Sequence, residues 1–207
     1  MAEALTKPIG LPAIAGLILA AGESSRFGAP KQLQAWGRGN CLEACIRTAE
    51  IAGLNPIVVV LGDRFEEIQA RTRFGRALTA HNLEWEKGQS TSLRAGIAAL
   101  PEACFGAVFM LADQPQISVS LLSAVMELAW QKDAVILPVI GDRRANPVFF
   151  PKRAFSRLME LEGDQGGRAI FGEFPVAQLP WLDEEMASDI DTREDYDRLT
   201  RIFFSKP

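Results

Sequence analysis

The stretch Leu19-Ala20-Ala21-Gly22-Glu23-Ser24-Ser25-Arg26-Phe27-Gly28-Ala29-Pro30-Lys31 decides how the rest of the chain is read. It follows a short apolar run, Ile14 to Ala20, with the length and composition of a buried strand. Two glycines and small residues then open a turn in which backbone N–H groups can approach an anion closely. Two cations, Arg26 and Lys31, follow at a spacing that lets both face the turn. A strand feeding such a loop is a suitable cradle for a nucleoside triphosphate. The loop is not a P-loop, because Gly28 is followed by Ala-Pro-Lys, and the dinucleotide fingerprint Gly-x-Gly-x-x-Gly is absent. A glycine turn with scattered charges, taken alone, reads more readily as an ordinary surface turn. The flanking pattern is what singles this one out.

Outward from the loop, strand-like and helix-like runs alternate. Pro56 to Leu61, Gly106 to Ala112 and Ala134 to Ile140 are continuous apolar runs, the pattern of strands covered on both faces. Between them, Cys41 to Ala52, Ser92 to Leu100 and Ser118 to Trp130 carry apolar residues at helical spacing. The β-α-β-α order predicts an α/β fold: a Rossmann-like, doubly wound, mainly parallel sheet with helices on both faces. In such a sheet the ligand lies beyond the carboxyl ends of the strands, where the Leu19–Lys31 loop falls. From about Pro147 the texture changes. Short runs at 147–150 and 176–179, with a helix over 152–161, predict a small accessory subsheet covering the active face. Residues 1–13 read as a flexible N-terminal tail and 14–207 as a single domain.

The 207 residues suffice for one well-filled core. A net charge of −4, with no lysine-rich run, argues against nucleic acid as a partner. Sixteen of the 22 basic residues are arginine, which slightly favours planar phosphate or carboxylate recognition. The apolar run at 14–20 is too short to span a bilayer, so no membrane partner is predicted. Three cysteines, Cys41, Cys45 and Cys104, lack the second pair that a tetrahedral zinc site requires, and they read as small core residues. Their odd number and the absence of an export signal predict reduced thiols in a cytoplasm.

A second chemical site is marked by Asp113-Gln114-Pro115 at the end of the Gly106 run. An ionised aspartate at the carboxyl end of a buried strand suits a hard cation such as Mg2+. By itself it would equally serve to cap the following turn. Beside a cationic triphosphate loop the metal reading is favoured, since the ion must bridge phosphate oxygens. In Asp189-Ile190-Asp191-Thr192-Arg193-Glu194-Asp195, the Thr192/Asp195 pair reads as a cap for the last helix. Asp189 and Asp191 alternate along an extended segment and so are expected to point the same way. Asp191 is taken as the second metal carboxylate. His81, the single histidine, reads as a neutral hydrogen-bonded group, and Trp85 as packing more readily than as a ring-stacking surface. Gln114 would either touch an acceptor or close its turn.

Leu-Ala-Ala-Gly, then Ser-x-Arg-Phe-Gly, then Pro-Lys together resemble the signature of the MobA-like NTP transferase family. The Ala20-Ala21 pair is most similar to its molybdenum cofactor cytidylyltransferases. The resemblance continues through Asn82-x-x-Trp85-x-x-Gly88-x-x-x-Ser92-Leu93, Asp113-Gln114-Pro115, Gly163-Asp164-x-Gly166-x-Arg168 and Asp189-Ile190-Asp191-Thr192. These blocks keep the family's order and span about residues 14–200. It implies a Mg2+-dependent nucleotidyltransferase. Ala20, Ala21 and Gly22 would lie against base and sugar. Arg26 and Lys31 would hold the triphosphate, and Asn82 and Ser92 would line the nucleotide pocket. Asp113 would bind the metal. Asp164 and Arg168 would face the acceptor, with Gln114 and Asn146 beside them.

One block departs from the pattern. Where the family has Gly-x-x-Gly-His-Pro, this chain has Arg144-Ala145-Asn146-Pro147, and Asn146 cannot shuttle a proton near neutral pH. Gly39-Asn40-Cys41 likewise replaces Gly-x-Pro. The expected reaction is CMP transfer from CTP, or NMP from another nucleoside triphosphate, to a molybdopterin-type acceptor, with pyrophosphate leaving. A molybdoenzyme is the expected client of the product. The alternatives are a CTP-dependent sugar- or polyol-phosphate cytidylyltransferase and a non-catalytic nucleotide or molybdopterin carrier.

Overall fold

Strand β1 (Ile14–Ala20) runs through the interior of an eight-stranded sheet. The structure, a computed structural model, describes residues 11–205. After β1 come a two-stranded ribbon, β2 (Ala35–Trp36) and β3 (Gly39–Asn40), then α1 (Cys41–Ala52) and β4 (Ile57–Leu61). Next are α2 (Phe65–Arg71), β5 (Leu78–His81), α3 (Gln89–Ala98), β6 (Gly106–Leu111), α4 (Val119–Gln131) and β7 (Val135–Ile140). The chain ends with β8 (Arg143–Arg144), β9 (Val148–Pro151), α5 (Phe155–Met159), β10 (Val176–Trp181) and α6 (Arg193–Phe204).

The sheet order is β10-β7-β9-β6-β1-β4-β5, with β8 paired to β7. Strands β5, β4, β1 and β6 are parallel, and β9 runs antiparallel between β6 and β7. From β1 the chain builds outward to β4 and β5, then crosses to β6 on the other side of β1. The strand order therefore reverses between β1 and β6, and such a reversal opens a crevice at the carboxyl ends.

Successive residues of each central strand enter two different cores. Ile14, Ile18, Val59 and Met110 pack with Leu42 and Ile46 of α1 and Leu121, Leu122 and Val125 of α4. Ala15, Leu17, Val58 and Phe109 pack with Leu93 and Ile97 of α3 and Leu158 of α5. Both faces are thus covered, which is why these strands read as unbroken apolar runs. Helix α3 presses hardest on the sheet. A Cβ at Gly96 would lie 2.3 Å from the Leu17 Cδ1, so only glycine admits the helix at this depth.

Several expectations change place. The runs at 147–150 and 176–179 join the main sheet as β9 and β10, because each finds a strand partner there. The small accessory subsheet is instead the β2–β3 ribbon. The helix over 152–161 is a single 3-10 turn followed by the short α5. Strand β6 ends at Leu111, and α3 begins at Gln89. Helix α2 had no clear periodic signal. Of the predicted tail, residues 1–10 lie outside the described residues.

The Gly39-Asn40-Cys41 departure has a local explanation. The Asn40 side chain caps α1 by accepting the Glu43 N–H at 2.8 Å. The buried Glu43 carboxylate then accepts from Arg73 at 2.8 and 3.1 Å and from the Arg73 backbone N–H at 2.9 Å. Those Arg73 hydrogen bonds bring its pKa from 4.5 down to about 2. Because the folded carboxyl titrates below the unfolded one, its stabilisation is complete above about pH 4.5 and is lost as pH falls towards about 2. Glu43→Gln is expected to cost about 1–3 kcal/mol at pH 7. In urea titrations the gap from wild type should narrow steadily between pH 4.5 and pH 3; a gap independent of pH would show that the carboxylate charge is not what stabilises this corner.

Candidate active site

The site grows from the register of β1 and β6. Leu19 is paired with Leu111, and the Ala112 N–H donates to the Leu19 carbonyl at 3.0 Å. The loop after β1 and the Asp113 carboxylate therefore leave the sheet side by side at the crevice. Within the loop, Ser24 adopts a left-handed φ of 59°, and its carbonyl accepts from Phe27 and Gly28 at 3.0 and 3.1 Å. Its hydroxyl accepts from the Lys31 N–H at 3.3 Å, which closes the turn around the cations.

At the centre, the Lys31 ammonium lies 3.1 Å from Asp113 Oδ2 and 3.1 Å from Asp191 Oδ1. Arg26, largely exposed, reaches the other Asp191 oxygen at 3.1 Å. Four groups from three distant segments thus form one neutral network of two cations and two carboxylates. The second Asp113 oxygen, Oδ1, is buried and has no hydrogen-bond partner. Among the described residues, no group of three or more His, Cys, Asp or Glu side chains is gathered for a metal. A cation held here would rest on two carboxylates, with its other ligands from phosphate or water, which is the habit of Mg2+.

Helix α6 holds this network in place. Its Thr192/Asp195 capping box is formed, and Asp195 Oδ2 also accepts the Asp191 N–H at 3.3 Å. The Thr192 hydroxyl bonded to Asp195 holds that carboxyl below its usual range. Phe27 packs edge-on to Tyr196, and the Arg193 guanidinium lies 5.0 Å from the Phe27 ring centroid. The Tyr196 hydroxyl donates to the Ala35 carbonyl at 2.7 Å. The loop bearing Arg26 is therefore bolted to the helix that follows Asp191.

Asp189 and Asp191 do not share a destination. Ile190 between them is fully buried, and its N–H donates to the Asp113 carbonyl at 3.0 Å. Asp191 turns to the cations, whereas Asp189 accepts from Gln114 Nε2 at 2.7 Å. Burial, reinforced by nearby Asp113, pushes the Asp189 carboxyl upward.

Three adjoining hollows line the crevice and share Leu19. The smallest, about 110 Å3, is walled by Ala20, Gly22, Ser24, Lys31 and Asp113. The next, about 360 Å3, lies among Ala21, Gly22, Trp85, Gly88, Ser92 and Asp164. The largest, about 390 Å3, is lined by Phe150, Phe171, Asn146, Asp164, Arg168 and Asp189. Two candidates sit elsewhere than expected. Asn82 is buried behind the wall, its amide donating to Thr91 and Ser92 at 2.8 and 3.0 Å, so it shapes the pocket without facing it. Gln114 is likewise buried, behind Asp189.

Sequence reasoning passed over two residues. Gln32 is buried and donates to the carbonyls of Ala20 and Gly22 at 2.9 and 3.3 Å, tying the loop to the strand end. Nothing in its sequence context marks it. Asp189 lay in a quoted motif, but its bond from Gln114 shows only in the fold. The three cysteines are buried and free, and burial pushes Cys41 up to about 12, so they serve as packing. His81 stacks on Phe65 with ring centroids 3.8 Å apart, outside the hollows.

Fold and site together define a nucleotide-handling α/β protein with a cationic loop facing strand-end acids. Residues 16–179 match the MobA-like NTP transferase domain, and the chain belongs to that family. It is by that membership a nucleotidyltransferase. The chain is 32% identical over 203 residues to the purine catabolism protein PucB of Bacillus subtilis, covering 92% of this chain and 97% of that one. It is 26% identical to the molybdenum cofactor cytidylyltransferase of Escherichia coli, covering 90% of this chain and 95% of that one. The crystal structure of Rv0371c from Mycobacterium tuberculosis is similar at a TM-score of 0.80 and 28% identity, over 91% of this chain and 97% of that one. The same protein has also been solved in complex with manganese, at a TM-score of 0.76 and 26% identity to this chain.

If α6 bolts the loop, Phe27→Ala should cost about 2–4 kcal/mol and free the turn. Hydrogen exchange over residues 24–31 should then accelerate well before global unfolding. Exchange that speeds only with global unfolding would mean that the loop is held by its own turns and not by α6.

Proposed function

We propose that this chain transfers CMP from CTP to a phosphate-bearing acceptor, molybdopterin, releasing pyrophosphate and supplying the product to a molybdoenzyme. The observation that carries this reading is the Lys31 ammonium held between Asp113 and Asp191 at the β1/β6 crevice. The E. coli relative's cytidylyltransferase activity and the Ala20-Ala21 pair favour CTP and this acceptor.

Asp113 and Asp191 would hold Mg2+, and the unpartnered Asp113 Oδ1 fits that use. When bound, the ion supplies neutralisation of charge on the α and β phosphates. The manganese complex of Rv0371c is in keeping with a divalent ion in this fold. The remaining work falls to the chain's own groups. Lys31 turns from the carboxylates to the phosphates and, with Arg26, holds charge as it moves to the leaving pyrophosphate. Ser24 and the loop N–H groups keep the triphosphate in line. The acceptor enters the hollow beside Asn146, Asp164 and Arg168, where the guanidinium fork suits its phosphate. One acceptor phosphate oxygen attacks the α-phosphorus; that P–O bond forms as the bond to pyrophosphate breaks. The attacking oxygen is already ionised, so no strong general base is required, and Asn146 suffices where relatives carry histidine. Positioning and fixed electrostatics supply the rate.

Lys31→Ala should lose about 2–4 kcal/mol of transition-state stabilisation, a rate loss of about 30- to 10³-fold, read as magnesium-dependent exchange of labelled pyrophosphate into CTP in the presence of the molybdopterin acceptor. A folded Lys31→Ala protein with undiminished exchange would remove Lys31 from the scheme. Lys31→Met should have a second effect that does not depend on turnover. Without the ammonium, Asp113 loses its cation and Arg26 alone is left to compensate two carboxylates, so Mn2+ should bind the nucleotide-free protein several-fold more tightly by electron paramagnetic resonance. Unchanged Mn2+ affinity would place the metal elsewhere. Asp113→Ala separates enzyme from carrier: a transferase loses nearly all exchange, whereas a carrier still delivers bound nucleotide or pterin.

A further inference from the structure

The phosphate chemistry above makes no use of Trp85. Its indole is half-buried. It packs against the apolar cluster around α3 and also lines the 360 Å3 hollow with Ala21, Gly22 and Gly88. That hollow shares Gly22 and Asp113 with the phosphate hollow. A flat aromatic side chain therefore stands one compartment away from Lys31, with Ala21, Gly22 and Gly88 among the residues beside it.

The placement of Trp85 is closely determined. At the end of β4, a Cβ on Gly62 would lie 2.6 Å from the Trp85 Cβ and 2.8 Å from the Ala21 Cβ. Only glycine lets the Trp85 turn and the first loop meet at this corner. The turn itself is fastened from behind. Asn82 Oδ1 accepts the Glu84 N–H at 3.0 Å, and the Asn82 amide donates to the Thr91 hydroxyl at 2.8 Å. That hydroxyl donates to the Gly88 carbonyl at 2.8 Å and lies 3.1 Å from the Glu84 carbonyl. Both ends of the turn are thus tied to one buried amide–hydroxyl pair. Such a network is more than is needed to bury a surface aromatic, but it is suited to holding a ring at a fixed height.

We infer that Trp85 is the platform on which the nucleobase of the bound triphosphate stacks, and that Gly62 and Asn82 are positioning residues that set and hold it. The inference rests on the nucleotidyltransferase reading and assigns the ligand's ring to the Trp85 hollow and its phosphates to the Lys31 hollow. Because every base presents a π-face, the platform contributes to affinity for any nucleotide. The choice among bases must then come from other groups on the same wall.

The test compares two magnesium-dependent ligands by calorimetry: CTP, and inorganic tripolyphosphate, which has the phosphates without the base. Trp85→Leu should weaken CTP about tenfold and leave tripolyphosphate within twofold of wild type. Trp85→Phe, which keeps a ring, should retain most CTP affinity but lose the CTP-induced quench of tryptophan fluorescence expected of the wild type. Asn82→Ala should weaken CTP alone, and should add little once Trp85 is already Leu, since both act through one ring. CTP binding unaffected by Trp85→Leu would overturn the platform, as would equal loss of both ligands, the sign of a collapsed loop. Wild-type protein that binds neither ligand would instead remove the proposed function and the platform with it.

Discussion

A single ammonium between two carboxylates is the constraint around which this site is organised. Lys31 lies 3.1 Å from an oxygen of each of Asp113 and Asp191, and these three residues come from the first loop, the end of β6 and the segment before the last helix. Removing one member leaves the others unbalanced in a partly buried setting, where such imbalance has a cost. Neutrality at the crevice also keeps the ligand-free state stable while holding the cations ready. The charges that would meet a triphosphate and its metal are already gathered and are compensating each other.

That arrangement needs the strand ends not to drift. The β1–β6 register fixes Leu111, two residues before Asp113, against Leu19, and the Gly96 contact lets α3 brace β1 from one face. Helix α6 then ties both remaining corners: its capping box orients Asp191, and its aromatic face grips Phe27. Stability and chemistry are hard to separate here. The capping carboxylate of Asp195 ends a helix and fixes a site aspartate with the same oxygen.

The sheet's class and its central strands were legible because two-sided burial writes continuous apolar runs, as at Ile14–Ala20 and Ile57–Leu61. The convergence of Lys31 and Asp113 was also legible, since strand-end loops of a doubly wound sheet share an edge. What the sequence concealed depends on partners far along the chain. Whether Val148–Pro151 forms a separate subsheet or inserts beside β6 turns on tertiary pairing, which carries no local signal. Asn82 is placed in the pocket by the family resemblance alone. Its burial follows from two hydroxyls, Thr91 and Ser92, on a helix it does not belong to. Asp189 and Asp191 have the spacing of same-face residues, yet one accepts from Gln114 and the other from Lys31, partners set by the end of β6 and the first loop and not by the local sequence.

The two sides of the crevice differ in how tightly they are built, and the difference bears on what each can recognise. On the phosphate side, Gln32, Ser24, Phe27 and α6 hold the loop through hydrogen bonds and ring contacts. On the far side the hollow is walled by buried residues such as Phe109 and Phe150 and rimmed by the exposed Arg168 and the turn that carries Asn146, with the two-residue strand β8 next to that turn. Arg144 of that strand lies over the Phe171 ring at 5.7 Å and offers its carbonyl to Arg168. Preorganised charge is most useful where negative charge moves onto a leaving group. On the proposed reading the acceptor enters on the other side, where Ala145-Asn146 stands in place of the Gly-His expected from the family resemblance, so the determinants of acceptor choice would be sought there and not among the paired charges.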